Sequence, residues 1–396
     1  MKPLSGIRIA DFSVHAAGPF GTHMLSQLGA ECIKIESNLR PDIFRKSHAV
    51  YGRVGPATFD QVASNKLSIR INLKHPKGVE LAKRLVAVSD VVSESFRPGV
   101  MERLGLGYET LSAIRPGLIM VSVSSSGQNG PDSHFAGYAP LFGAWGGLGY
   151  LTGYADGPPV EMRHVMDHSL GMNAALATVA ALHHRRRTGK GSHMDIAGRE
   201  VAAAAAGEAL LQAAAGGDPR RVGNDQVGMA PHGVYGTRDH DRWVSIAVGS
   251  EMEWKGFATA LGRPEICADP RFANAAARYA HREILNAETE AWTKTRDAEA
   301  VVDILQEAGV PAHVSWTIGD IVNDRHLRER GVIVDVVNNE GRTQAAVSAP
   351  LRLSKSTTGL ERGTPGLGEH EDYVFGELLG MSAAERAALA DEQAIY

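Results

Sequence analysis

Across residues 7–123 the chain alternates short, apolar, β-branched runs with stretches of helical spacing, and this alternation restricts the fold more than any other feature. Residues 7–12, 31–36, 67–72, 91–92 and 118–123 read as strands. Residues 18–28 read as a helix opened by Gly18-Pro19. A second helix starts at Pro76, a favoured first-turn position, and carries Val79, Leu81, Ala82, Leu85 and Val88. Strands that alternate with helices build a largely parallel sheet covered on both faces. Ligands on such sheets sit beyond the carboxyl ends of the strands. Here those ends are residues 13–18, 37–40, 95–98 and 124–130.

At 396 residues the chain exceeds one ordinary core, so more than one domain is expected. Composition shifts near Gly216-Gly217-Asp218-Pro219, and the polar stretch that follows to Pro231 reads as a linker. Beyond it come a strand at 243–248 and helices at about 251–261, 278–293 and 298–307. Two strands within 332–353 flank the turn Asn339-Glu340-Gly341, and the tail ends in an amphipathic helix. The expected organisation is a large α/β domain from 1–190, a linker at 191–230, a small α+β domain at 231–330, and a return into the large domain over 331–396.

Net charge of −4 and a pI near 6.5 argue against nucleic acid as the main partner. No apolar run approaches a membrane span, and the N-terminus shows no secretion signal. The only cysteines, Cys32 and Cys267, suit a reducing cytoplasm; Cys32 falls inside an apolar strand run. There is no Gly-x-Ser-x-Gly elbow, no phosphate loop ending in Gly-Lys-Ser/Thr, no Cys-x-x-Cys and no His-Glu-x-x-His, so no metal site is expected. The run His183-His184-Arg185-Arg186-Arg187 complements the carboxyl end of its helix.

One acid stands out. Asp167 follows the turn Asp156-Gly157-Pro158-Pro159 and precedes a small-residue helix expected from Ser169 to about Arg187. Backbone N–H groups at a helix start stabilise a carboxylate, and small side chains admit a large ligand. Taken alone, the position fits a helix cap. Set among glycine-rich loops without an obvious base partner, it also fits a carboxylate acting as a covalent nucleophile.

Ordered motifs run nearly the length of the chain. They include Pro3-Leu4-Ser5-Gly6-Ile7, Leu28-Gly29-Ala30-Glu31-Cys32-Ile33-Lys34-Ile35-Glu36, Asn65-Lys66, and Leu73-Lys74 with Pro76 and Gly78. Ser95-Phe96-Arg97-Pro98-Gly99 with Arg103-Leu104-Gly105 follows, then Gly127-Gln128 with Gly130-Pro131. Asp156-Gly157-Pro158-Pro159, Asp167 and Arg187-Thr188-Gly189-Lys190-Gly191 come next, and later Asp269-Pro270-Arg271-Phe272 and Leu367-Gly368-Glu369-His370. In these motifs the chain resembles the class III CoA-transferases, the family of formyl-CoA transferase and the carnitine CoA-transferases.

The resemblance implies a large doubly wound, Rossmann-like domain with a smaller α+β domain, in an interlocked homodimer or a heteromer with a paralogous subunit. It implies acyl-CoA and a free carboxylic acid as substrates, with no tightly bound cofactor. Asp167 is then the nucleophile that carries CoA as an aspartyl thioester. His15, Ala16 and Ala17 match the stretch that lines the thiol end of CoA, with Ala16 where formyl-CoA transferase has glutamine. Lys74 and Arg103 match basic residues near the nucleotide phosphates, Phe96 matches an adenine contact, and Arg40 replaces a basic residue that usually follows the 31–36 strand. Tyr138 and His164 are expected on the substrate side; Arg163 reads either as a solvated arginine or as a partner for a second carboxylate. The aromatic stretch 135–154 and the loop 223–230 suit acids larger than formate, either dicarboxylic (succinate-like) or aromatic. Two alternatives stay open. One is an acyl-CoA racemase, although its Gly-His-Asp segment is matched here by Gly137-Tyr138-Ala139 without histidine; the other is a non-catalytic CoA-binding subunit of a hetero-oligomer.

Overall fold

The β-branched runs do form strands, each flanked by helices that cover its two faces. A computed structural model describes residues 1–46, 54–162 and 164–396; Arg163 therefore lies outside the described residues. The first elements are β1 (Arg8–Asp11), α1 (Ala17–Gln27), β2 (Glu31–Glu36), α2 (Val54–Ala63), β3 (Leu67–Arg70) and α3 (Pro76–Ala87). They are followed by β4 (Val91–Glu94), β5 (Ile119–Ser124), the long helix Val165–Thr188 and β6 (Ser192–Ala197). The six strands pair parallel in the order β3-β2-β1-β4-β5-β6. This is a doubly wound order, and it reverses direction between β1 and β4, where the loops leaving the two strands part and open a crevice.

Alternation along each strand feeds two separate cores. Ala10, Ile33, Ile35 and Met120 pack with Leu81 and Leu85 of α3 on one face. Ile9, Cys32, Ile119 and Val121 pack with Leu25 of α1 and with Leu170 and Ala174 of the long helix on the other.

Two compact units divide the chain. The first comprises Met1–Gly149, Glu161–Asp218 and Arg325–Tyr396; the second comprises Tyr150–Val160 and Pro219–Asp324. The stretch 191–230, expected as a linker, instead carries β6 and the helices Gly198–Ala205 and Gly207–Ala214. Residues 150–160 go with the second unit because Gly223 N–H bonds Gly153 O (3.0 Å) and Arg221 bonds Tyr150 O (3.1 Å). That unit holds the antiparallel sheet β7 (His232–Gly236), β8 (Trp243–Ala247) and β9 (Ala312–Val314), with Trp254, Phe257, Phe272 and Leu305 in its core. The expected hairpin appears as β10 (Ile333–Val337) against β11 (Thr343–Val347), in the first unit. Asn338 Oδ1 accepts the N–H groups of Glu340 and Arg342 (both 3.0 Å) to close its turn.

Candidate active site

The crevice opens beyond β1, β4 and β5 as a cavity of about 430 Å³ within the first unit, a size suited to a small-molecule ligand. The turn after β1 supplies Val14, His15 and Ala17; the loop after β4 supplies Ser95, Phe96 and Arg97; the loop after β5 supplies Ser124 and Ser125. Arg40, Arg103, Tyr138 and Asp167 also line it.

Asp167 is placed by a close helix crossing. The long helix starts at Val165, earlier than the sequence suggested, so Asp167 lies inside its first turn rather than ahead of it. One turn on, Gly171 lies so near α1 that a Cβ there would stand 2.6 Å from Ala17 O and 2.9 Å from Gly21 N. A Cβ on Gly21 would in turn stand 2.9 Å from Gly171 O. Ala17 and Asp167 are one turn before these glycines on their own helices, so both helices begin at the same cavity. The start of α1 has no side-chain cap, and Pro19 lacks an N–H, which leaves the N–H groups of Ala17 and Gly18 as the open donors of its first turn. The sequence alone suggests such donors only on the helix after Asp167.

Burial pushes the Asp167 carboxyl up to about 6, with His164 pulling the other way. Burial likewise holds the His15 imidazole below its ordinary range, and Arg40 and Lys34 add to that against Asp42. The His15 ring meets Tyr138 and Phe44 edge-on, at 6.1 and 6.3 Å between centroids. Behind the cavity wall, burial pushes Glu94 up to about 7, although its carboxylate accepts the Phe96 N–H at 2.7 Å.

The basic residues sort clearly. Arg40, Arg97 and Arg103 line the cavity, and none of the three has an ion-pair partner among the described residues. By contrast Arg45 is paired with Glu36 (2.7 Å) and Arg185 with Asp90 (3.1 Å). Lys74 is exposed in the loop between β3 and α3, outside the cavity lining. Ala16 is buried as the residue before α1, and His164 is exposed before the long helix with φ of +50°; neither lines the cavity. Arg97 carries no role in the sequence reading. Its signal was a basic residue at the carboxyl end of a strand, directly before a proline.

The sequence profile of CoA-transferase family III matches residues 4–371. The chain is 36% identical to the succinyl-CoA–D-citramalate CoA-transferase of Chloroflexus aurantiacus, with 100% of this chain and 98% of that protein covered. It is 33% identical to the beta subunit of a succinyl-CoA–L-malate CoA-transferase from the same organism, over 96% of this chain and 95% of the other. Among solved structures, a CaiB/BaiF family protein from Brucella suis superposes with a TM-score of 0.84 at 32% identity, covering 95% of this chain and 99% of that one.

Proposed function

This chain belongs to CoA-transferase family III, and we propose that it moves CoA between a CoA thioester and a short dicarboxylic acid through a covalent intermediate on Asp167. One observation carries the reading: a half-buried carboxylate shares a cavity with three arginines that lack ion-pair partners among the described residues. Arg40, Arg97 and Arg103 suit the phosphates of CoA, since guanidinium forks bind phosphate oxygens bidentately.

The Asp167 carboxylate attacks the thioester carbonyl, and the C–S bond breaks to give an aspartyl-acyl anhydride and the CoA thiolate. The thiolate then attacks the aspartyl carbonyl, which releases the donor acid and leaves CoA on Asp167 as a thioester. The acceptor carboxylate attacks that thioester, and the same two steps run in reverse. In each step negative charge gathers on a carbonyl oxygen, and the open N–H groups at the start of α1, where Ala17 lines the same cavity as Asp167, are donors for it. The dicarboxylic choice follows the succinyl-CoA donors and hydroxy-dicarboxylate acceptors in the names of the two relatives.

The test is the intact mass of the protein after brief exposure to succinyl-CoA and other acyl-CoA donors, beside Asp167→Asn. A CoA-sized adduct that hydroxylamine removes and the variant lacks is expected. No adduct with any donor, together with exchange of a substrate α-proton into deuterated water, would overturn the reading in favour of racemase chemistry.

A further inference from the structure

Two ion pairs lie beneath the β1–α1 turn with all four side chains fully buried: Lys66 with Asp11 (2.9 Å) and Lys34 with Asp42 (3.1 Å). A buried ion pair adds little net stability compared with apolar residues of similar size, because desolvation offsets most of the attraction. What apolar residues would not provide is hydrogen bonds to the backbone, and both ammonium groups make them at the turn. Lys34 Nζ donates to Ser13 O (3.0 Å), where the turn begins. Lys66 Nζ donates to Pro19 O (2.8 Å), where the turn passes into α1, and to Thr22 Oγ1 (2.7 Å).

The carboxylates reinforce the same segment. Asp11 accepts the Ser13 N–H (3.1 Å) and the hydroxyls of Ser13 and Thr22. Asp42 accepts the Phe44 N–H (3.1 Å), and Phe44 packs edge-on against His15. From the loop after β4, Ser95 Oγ accepts the Val14 N–H (2.9 Å) and donates to Val14 O (3.0 Å). The turn is held at both ends and at Val14, and His15 is kept at φ of +66° between them.

We propose that Asp11, Lys34, Asp42 and Lys66 are positioning residues for the transfer chemistry: they hold the β1–α1 turn so that the Ala17 and Gly18 N–H groups stay at the carbonyl formed on Asp167. The inference rests on Asp167 as the nucleophile. None of the four side chains lines the cavity, so they make no direct contact with CoA and the expected effect is on the rate of transfer.

The charge-balanced double variant Lys34→Met/Asp42→Asn removes the cap on Ser13 O and leaves an amide oxygen for the Phe44 N–H. Ser13→Ala is the smaller companion, removing one hydroxyl from a residue that does not line the cavity. Three quantities are measured for each: melting temperature, dissociation constant for free CoA, and the single-turnover rate of adduct formation from succinyl-CoA. The double variant is expected to slow adduct formation at least about tenfold, short of the roughly 100-fold or more that outright loss of an oxyanion donor costs, with CoA affinity unchanged. Ser13→Ala is expected to move the rate in the same direction by a smaller factor, and it decides the matter if the double variant does not fold. A folded variant with the wild-type adduct rate overturns the proposal, as does parallel loss of CoA affinity and melting temperature. Wild-type protein that forms no adduct overturns the nucleophile assignment itself, and this inference falls with it.

Discussion

At Asp167, the proposed nucleophile, the chemistry and the fold pull in opposite directions. Its carboxyl rises from 3.8 to about 6 through burial, so the folded state holds this proton more tightly than the unfolded chain does. The resulting stabilisation is complete below the unfolded value and is lost as pH rises through about 6. Asp167→Asn is therefore expected to melt higher than wild type at pH 7.5, by a margin equivalent to at most about 3 kcal/mol, and to match it near pH 4. Melting curves across that range check it; equal melting at pH 7.5 would mean the charge is well solvated. Catalysis needs the ionised form, so adduct formation should fall about tenfold for each pH unit below about 6. Arg97 carries a separate prediction. Because it bears on the cavity without an ion-pair partner among the described residues, Arg97→Ala should raise the KM for acyl-CoA about tenfold, or about 1.4 kcal/mol, with kcat little changed. Steady-state kinetics that showed a loss only in kcat would remove Arg97 from the CoA contacts.

The decisive feature among the elements is the crossing of α1 and the long helix at Gly21 and Gly171. A methyl group at Gly171 would press on backbone atoms of α1, which do not rotate aside, so the helices must part. Gly171→Ala is expected to cost about 1–3 kcal/mol of stability through overpacking and to slow adduct formation while CoA affinity holds. Gly207→Ala is the contrasting case, because a Cβ there meets nothing within 4 Å. That change should stabilise by about 0.5–1 kcal/mol and leave activity alone. Thermal melts with adduct rates check both; equal effects at the two positions would refute the crossing argument. Much of this level was legible beforehand. The strand runs and the helix at Pro76 show in local periodicity, as does the helix Ala298–Glu307. The long helix begins one turn before Ser169, a start the sequence does not mark because its N-cap, His164, makes no side-chain cap and packing of Met166 and Leu170 holds the first turns.

Over the whole molecule, one surface asks for a partner. Val165, Met172, Leu176 and Val179 form an exposed apolar stripe on the long helix, with Leu176 69% exposed, on the side away from its buried residues. We expect a second copy of the chain to cover it, so light scattering should give twice 42.2 kDa; a monomer would point to a paralogous partner chain instead. The sequence by itself determined the alternating α/β pattern, the strand ends where the cavity opens and the singular position of Asp167, because each is written in local spacing or in short motifs. Only the tertiary structure decided that Arg97 joins Arg40 and Arg103 at the cavity, that Lys74 stays outside it, and that the start of α1 opens on the same cavity as Asp167. Those outcomes depend on strand order and on two glycines far apart in sequence that let backbones touch, and no local period encodes either.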